Sequence, residues 1–145
     1  MSRFAYSLFC DDVRHEINGK TSQIGIYQGS MYLATFPAHL PKLCIIISAV
    51  TPIENPFSEL IFKAYMDVNL IFQFQLNKEQ LDEAIASSPE AGDGTFRIVQ
   101  TMGIVSPISF DQPCRIRLEV EADGETIECP GLRVIKAPEG MKIIG

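Results

Sequence analysis

The stretch CDDVRHEINGK, from Cys10 to Lys20, gathers two adjacent aspartates, a histidine and a glutamate. Asp11, Asp12, His15 and Glu16 are residue types that ligate divalent ions or relay protons, so a metal-dependent hydrolase or lyase is one reading. Spacing decides whether it can work. On a helix, Asp11 and His15 are i, i+4 neighbours about 5–6 Å apart, as are Asp12 and Glu16, and one ion can reach both members of a pair. On a strand each pair shares a face but spans about 13 Å, too far for metal bonds of about 2 Å. Asn18-Gly19 is a favoured hairpin turn, and the apolar alternation before it agrees with a strand. The strand is therefore the expected form, with Ile17 facing Lys20, His15 facing Ser22 and Val13 facing Ile24. Val13 and Ile17 then point inward on odd positions whereas Phe4 to Cys10 do so on even ones, which predicts a bulge or bend at Asp11-Asp12. In that form Asp12, Arg14 and Glu16 make a self-neutralising outer row. No metal and no other cofactor is expected.

Other sources of chemistry are weaker. His39 sits between two prolines in FPAHLPK and reads as a surface-loop histidine. No nucleophile elbow, P-loop or dinucleotide fingerprint occurs. Gly92-Asp93-Gly94 resembles part of a calcium loop without its regular oxygen spacing. The cysteines Cys10, Cys44, Cys114 and Cys129 are scattered with no C-x-x-C pair, as buried free thiols would be.

The elements that must position these residues are mostly strands. RFAYSLFC and VNLIFQFQL alternate with period two, the even positions Phe4, Tyr6, Leu8 and Cys10, and Val68 to Leu76, forming apolar faces. Further strands are predicted at KTSQIGIY, LCIIISAVT, ELIFKAYM, TFRIVQTMGIV, CRIRLEVEA, ETIEC and LRVIKA. LCIIISAV is apolar at every position, as a strand covered on both faces must be. One short helix is predicted near 77–88: Asn77 caps it, Gln80 completes a capping box, Leu81, Ala84 and Ile85 form its stripe, and Pro89 stops it ahead of an acidic loop, PEAGDGT. Asp123-Gly124 predicts a two-residue hairpin, pairing Ala122 with Glu125, Val120 with Ile127, Leu118 with Cys129 and Cys114 with Arg133. Cys114 and Cys129 are then about 13 Å apart along the strands and cannot bridge. Eight or so short strands with one helix predict a mainly β chain, an antiparallel two-sheet sandwich of immunoglobulin-like kind, with a partly closed barrel as the alternative.

Bulk properties narrow the rest. The chain has 145 residues, the size of one domain, with 46% hydrophobic residues and a net charge of −6. That charge, without any Lys/Arg cluster, argues against nucleic-acid binding. The N-terminus lacks the pattern of a secretory signal, and no apolar run approaches the ~20 residues of a membrane helix, so a cytoplasmic location is expected and no membrane partner.

The opening third resembles a family of short bacterial proteins of uncharacterised function. The resemblance rests on a pattern like C-D-D-x-R-x-E-x-x-G-K-x-S-x-I-G-x-Y. Here it is carried by Cys10, Asp11, Asp12, Arg14, Glu16, Gly19, Lys20, Ser22, Ile24, Gly25 and Tyr27. It implies no activity and no catalytic residues. The expected function is that of a non-enzymatic interaction or structural module, self-associating, with a protein partner or itself as ligand. Phe9, Ile61, Tyr65, Ile71 and Val99 fall opposite the main apolar stripes and are the expected interaction surface. A metal enzyme built on Asp11, Asp12, His15 and Glu16, or a sandwich binding a small ligand between its sheets, are the alternatives.

Overall fold

The computed structural model describes residues 2–87 and 94–141, the side chains of 85–87 excepted. The elements run β1 (Phe4–His15), β2 (Thr21–Ile26), β3 (Ser30–Leu33), β4 (Ala38–Leu40), β5 (Leu43–Pro52), β6 (Leu60–Met66), β7 (Asn69–Leu76), α1 (Lys78–Ser87), β8 (Phe96–Val105), β9 (Ile108–Phe110), β10 (Cys114–Ala122) and β11 (Glu125–Lys136). The chain is mainly β. Sheet A has the order β2-β1-β5-β8, sheet B the order β3-β11-β10-β6-β7, and β4 pairs with β9 in a separate ribbon. Neither large sheet closes on itself, so the barrel alternative does not hold. Pairing is antiparallel in sheet A, while sheet B is mixed because β3 runs parallel to β11.

The sheets share one core. Sheet A contributes Phe9, Leu43, Ile45 and Ile47; sheet B contributes Leu60, Phe62, Ile116, Val120, Leu132 and Val134. β9 adds Ile108 and Phe110, and α1 adds Leu81. β5 is buried at all ten positions, which fits its unbroken apolar sequence. Where the layers meet near β7, Gly103 of β8 leaves room for a ring. A Cβ there would lie 2.7 Å from the Phe72 ring.

The helix begins as its sequence dictates. Asn77 Oδ1 accepts from the Gln80 N–H and Gln80 Oε1 accepts from the Asn77 N–H, each at 2.9 Å. Leu81 is buried and Ala84 exposed. The Ile85 side chain, Pro89 and most of the acidic loop lie outside the described residues. The Asp123-Gly124 hairpin also forms as expected, with both residues at positive φ and Ala122–Glu125, Val120–Ile127 and Leu118–Cys129 paired. Beyond Leu118 the register differs from expectation: a shift between Ile116 and Leu118 sets Cys114 opposite Val134, not Arg133. Its cause is Gly131, where a Cβ would lie 2.2 Å from the Ile116 carbonyl oxygen. CPG is therefore a bulge within β11 rather than a break between two strands.

Arg3, just ahead of β1, ties two connections together. Its guanidinium pairs with Asp123 at 2.9 Å, donates to Thr51 Oγ1 at 3.0 Å and the Pro56 carbonyl at 3.0 Å, and lies 4.7 Å from the centre of the Phe57 ring. Asp123 in turn accepts from the N–H groups of Ser58 and Glu59. The β10–β11 turn is so held to the β5–β6 connection and the start of β1.

Gly103→Ala should cost about 1–3 kcal/mol in urea unfolding, the usual range for overpacking. Adding Phe72→Leu should recover part of the loss, as coupled neighbours do. Strictly additive losses would mean that ring and glycine do not meet.

Candidate functional site

The motif CDDVRHEINGK folds as a hairpin. β1 continues as a strand through His15, so Asp11 and His15 stay about 13 Å apart and the helical metal reading has no basis. The tip is a 3-10 turn at Ile17–Gly19, with Asn18 and Gly19 both at positive φ. The Glu16 N–H donates to the Lys20 carbonyl, which sets His15 opposite Thr21 and Asp12 opposite Ile24. This register is one residue away from the expected one, because the loop spans three residues instead of two. No residue is inserted at Asp11-Asp12; the pairing keeps one register and the irregularity falls on the partner strand, at Gly25 with φ +70.

Asp11, Asp12, Arg14 and Glu16 each have a structural partner. Asp11 Oδ1 accepts from the Tyr27 hydroxyl at 2.5 Å, and a Cβ on Gly25 would lie 2.2 Å from its other carboxylate oxygen. Burial, reinforced by the hydrogen bond to Asp11, pushes the Tyr27 phenol above its ordinary value. Asp12 Oδ1 accepts from Lys42 Nζ at 2.5 Å and from the Val13 N–H at 2.9 Å. The Lys42 hydrogen bond holds the Asp12 carboxyl below the usual carboxylate value and raises Lys42. Arg14 pairs with Glu16 at 3.3 Å. Asp11, Gly25 and Tyr27 thus lock β2 onto β1, while Asp12 and Lys42 tie the hairpin to β5. Cys10 and Cys44 sit directly opposite each other and are buried, and burial pushes the Cys10 thiol up to about 11. A protonated, enclosed thiol packs and does not attack. Among the described residues, no three His, Cys, Asp or Glu side chains converge on a point where an ion could sit.

What stands out is the side of sheet A turned away from sheet B. Directly opposed residues of an antiparallel ladder point to the same side. The rungs across β1, β5 and β8 on this side are Phe4–Val50–Ile98, Tyr6–Ser48–Gln100, Leu8–Ile46–Met102 and Cys10–Cys44–Ile104, the last extended by Ile26 of β2. Ile24 and the Asp12–Lys42 ion pair lie just beyond. Six large apolar side chains here are exposed: Phe4, Tyr6, Ile24, Ile26, Ile98 and Ile104, with Ile104 reaching 55% and Phe4 48%. The polar exceptions satisfy each other, Gln100 Nε2 donating to Ser48 Oγ at 2.9 Å. The outer side of sheet B is different in kind. It carries Lys63–Glu121 at 2.8 Å, Arg117–Glu119 at 3.8 Å and Arg117 stacked over Tyr65.

The five residues expected to form a surface do not share one. Phe9 is 3% exposed in the core; Ile71 and Val99 pack against that core, and Ile61 and Tyr65 are half-buried on the outer side of sheet B. The reason lies in β1, whose small odd residues Ala5 and Ser7 and the ring of Phe9 face sheet B. Its bulkier even residues, expected inside, face out. Val68 and Leu70 are likewise exposed: Val68 sits in the two-residue turn between β6 and β7, and Leu70 lies beside a register shift at Ala64–Tyr65 that breaks the stripe. His39 lies on β4 rather than in a loop, its Nδ1 2.8 Å from Ser109 Oγ on β9. Ser109 also lines a shallow cleft of about 390 Å³ with Asp67, Asn69 and Asp111. No carboxylate among the described residues hydrogen-bonds the imidazole's other nitrogen, so a triad is not assembled. No helix among the described residues is long and apolar enough to cross a membrane.

Comparison with known proteins places the model of a family of unknown function on residues 5–135. No curated protein and no solved structure matches the chain.

The Asp12–Lys42 pair predicts a pH signature. A carboxyl depressed in the folded state contributes stability above its ordinary value of 3.8, and that contribution is lost as the pH falls through the depressed value. Asp12→Asn should therefore lower the thermal midpoint at neutral pH, and the gap from the parent should close on acidification. A gap that persists in acid would assign the loss to something other than the ion pair.

Proposed function

The chain belongs to that family, DUF6941, and we propose that it is a non-enzymatic interaction module whose working surface is the outer side of sheet A. The observation that carries this reading is the asymmetry between the two outer sides. Sheet B presents paired charges to solvent, the ordinary solution for a half-exposed antiparallel sheet. Sheet A presents Phe4, Tyr6, Ile26, Ile98 and Ile104 with no charge among them. A contiguous apolar surface of this kind costs solubility and marks a contact region when folding does not require it. The hairpin motif supports the reading indirectly, since Asp11, Gly25, Tyr27, Asp12 and Lys42 hold β2 in place and so widen the surface with Ile24 and Ile26.

Within the same reading, the two layers form an immunoglobulin-like sandwich. Connectivity supports it: β1, β5 and β8 fall in the order of strands A, B and E, and β11, β10 and β6 in the order G, F and C. β7 adds a strand next to C, and β2 lies on the free edge of A.

The test is the binding of an apolar fluorescent dye at low protein concentration. The parent chain should bind it, and Tyr6→Lys with Ile104→Lys should lose most of the signal while stability stays within about 0.5 kcal/mol, as expected for exposed sites. Glu128→Lys, on the other outer side, should change nothing. Equal dye binding by all three proteins would overturn the proposal.

A further inference from the structure

We infer that the occupant of this surface is a second copy of the same chain, stacked face to face about a two-fold axis. The inference rests on the proposed function and names the partner for it. Three features of the surface select a copy of itself over an unrelated protein.

The first is charge. The chain carries a net charge of −6, so two copies repel wherever charged surfaces meet. The four rungs from Phe4–Val50–Ile98 to Cys10–Cys44–Ile104 carry none. The nearest ions on this side, Asp12–Lys42 and Arg14–Glu16, are internally paired and lie toward the hairpin tip. A surface built for a basic partner would show unpaired carboxylates around its rim.

The second is polar satisfaction. Burying a side-chain amide or hydroxyl without a partner costs free energy. At the middle of the surface Gln100 already donates to Ser48. An apolar copy can therefore cover these groups without leaving either unpaired. Tyr6 stands beside Phe4, ring centres 6.4 Å apart.

The third is area and symmetry. Over the four rungs, three strands about 4.8 Å apart and about seven residues long give a footprint of roughly 350 Å² per copy. Two copies then bury roughly 700 Å², the size of a weak, concentration-dependent contact rather than a permanent one. An axis through the middle of the four uncharged rungs lays Tyr6–Ser48–Gln100 over the partner's Leu8–Ile46–Met102 rung. It also lays Phe4–Val50–Ile98 over the partner's Cys10–Cys44–Ile104 rung. Both ion pairs then fall outside the overlap. Such an isologous contact closes at two copies and cannot propagate into a filament.

Sedimentation equilibrium of the full chain from about 1 µM to about 200 µM tests the inference. The apparent mass should rise toward twice the monomer mass. Tyr6→Lys with Ile104→Lys should weaken the association at least 100-fold, and Glu128→Lys should leave it unchanged. Should the first variant fold poorly, Ile26→Lys with Ile98→Lys asks the same question from other strands. Raising salt should strengthen the parent dimer by screening its net charge. A strict monomer across the range, or a dimer untouched by both face variants, would overturn the inference. The dye test separates the two levels. Face-dependent dye binding with a strict monomer sinks the second copy and keeps the interaction surface, whereas face-independent dye binding sinks both.

Discussion

A ten-residue strand with no polar side sets the terms for the whole molecule. β5 is apolar or small from Leu43 to Val50, so water must be kept from both its faces. On one face sheet B supplies the cover, with Phe62, Ile116, Val120 and Val134 buried in one core with Ile45 and Ile47. On the other face only neighbouring side chains of the same sheet are available. Leu8 and Met102 pack against Cys10, Cys44 and Ile46, and in doing so are themselves left partly open. The apolar outer surface follows from that shortfall. A strand that demands two-sided burial in a chain with two layers leaves one side short of a layer.

The hairpin motif serves the same constraint. β1 flanks β5, and β2 exists to extend the sheet beyond β1. Asp11 meets Tyr27 over a residue without a Cβ, and Asp12 meets Lys42 at the start of β5. These are short-range polar contacts at the margin of an apolar sheet, where they fix register without placing charge on the face. The pattern of aspartates, glycine and tyrosine thus reads as a set of mechanical fasteners. Its residue types suggested chemistry because carboxylates and histidine serve both ends; the spacing on a strand separates the two.

Much of the architecture was legible in the sequence because local signals decided it. Asp123-Gly124, the Asn77–Gln80 capping box and the apolar run of β5 each depend on neighbours a few residues away. The two errors of register, at Asn18-Gly19 and at Cys114, come from a three-residue loop and from the Gly131 bulge, neither of which period-two counting can see. The short strands β3, β4 and β9 carry too few residues for any period to register. The surface was misplaced for a further reason. In β1 both sides are apolar enough to be inside, and side-chain bulk favoured the wrong one. Which side meets sheet B is settled by long-range packing, where Ala5 and Ser7 admit β11 closely, Ser7 Oγ donating to the Pro130 carbonyl at 2.5 Å.

The most direct test of this account is methyl NMR with a soluble paramagnetic agent, comparing isoleucines on the outer side of sheet A with those of the shared core. In a dilute sample the methyls of Ile24, Ile26, Ile98 and Ile104 should be strongly broadened while those of Ile45, Ile47 and Ile116 stay sharp. In a concentrated sample the first group should become protected as copies stack. Protection of Ile26, Ile98 and Ile104 equal to that of Ile45 in a dilute monomer would contradict the account, because the outer side of sheet A would then be covered by the chain itself.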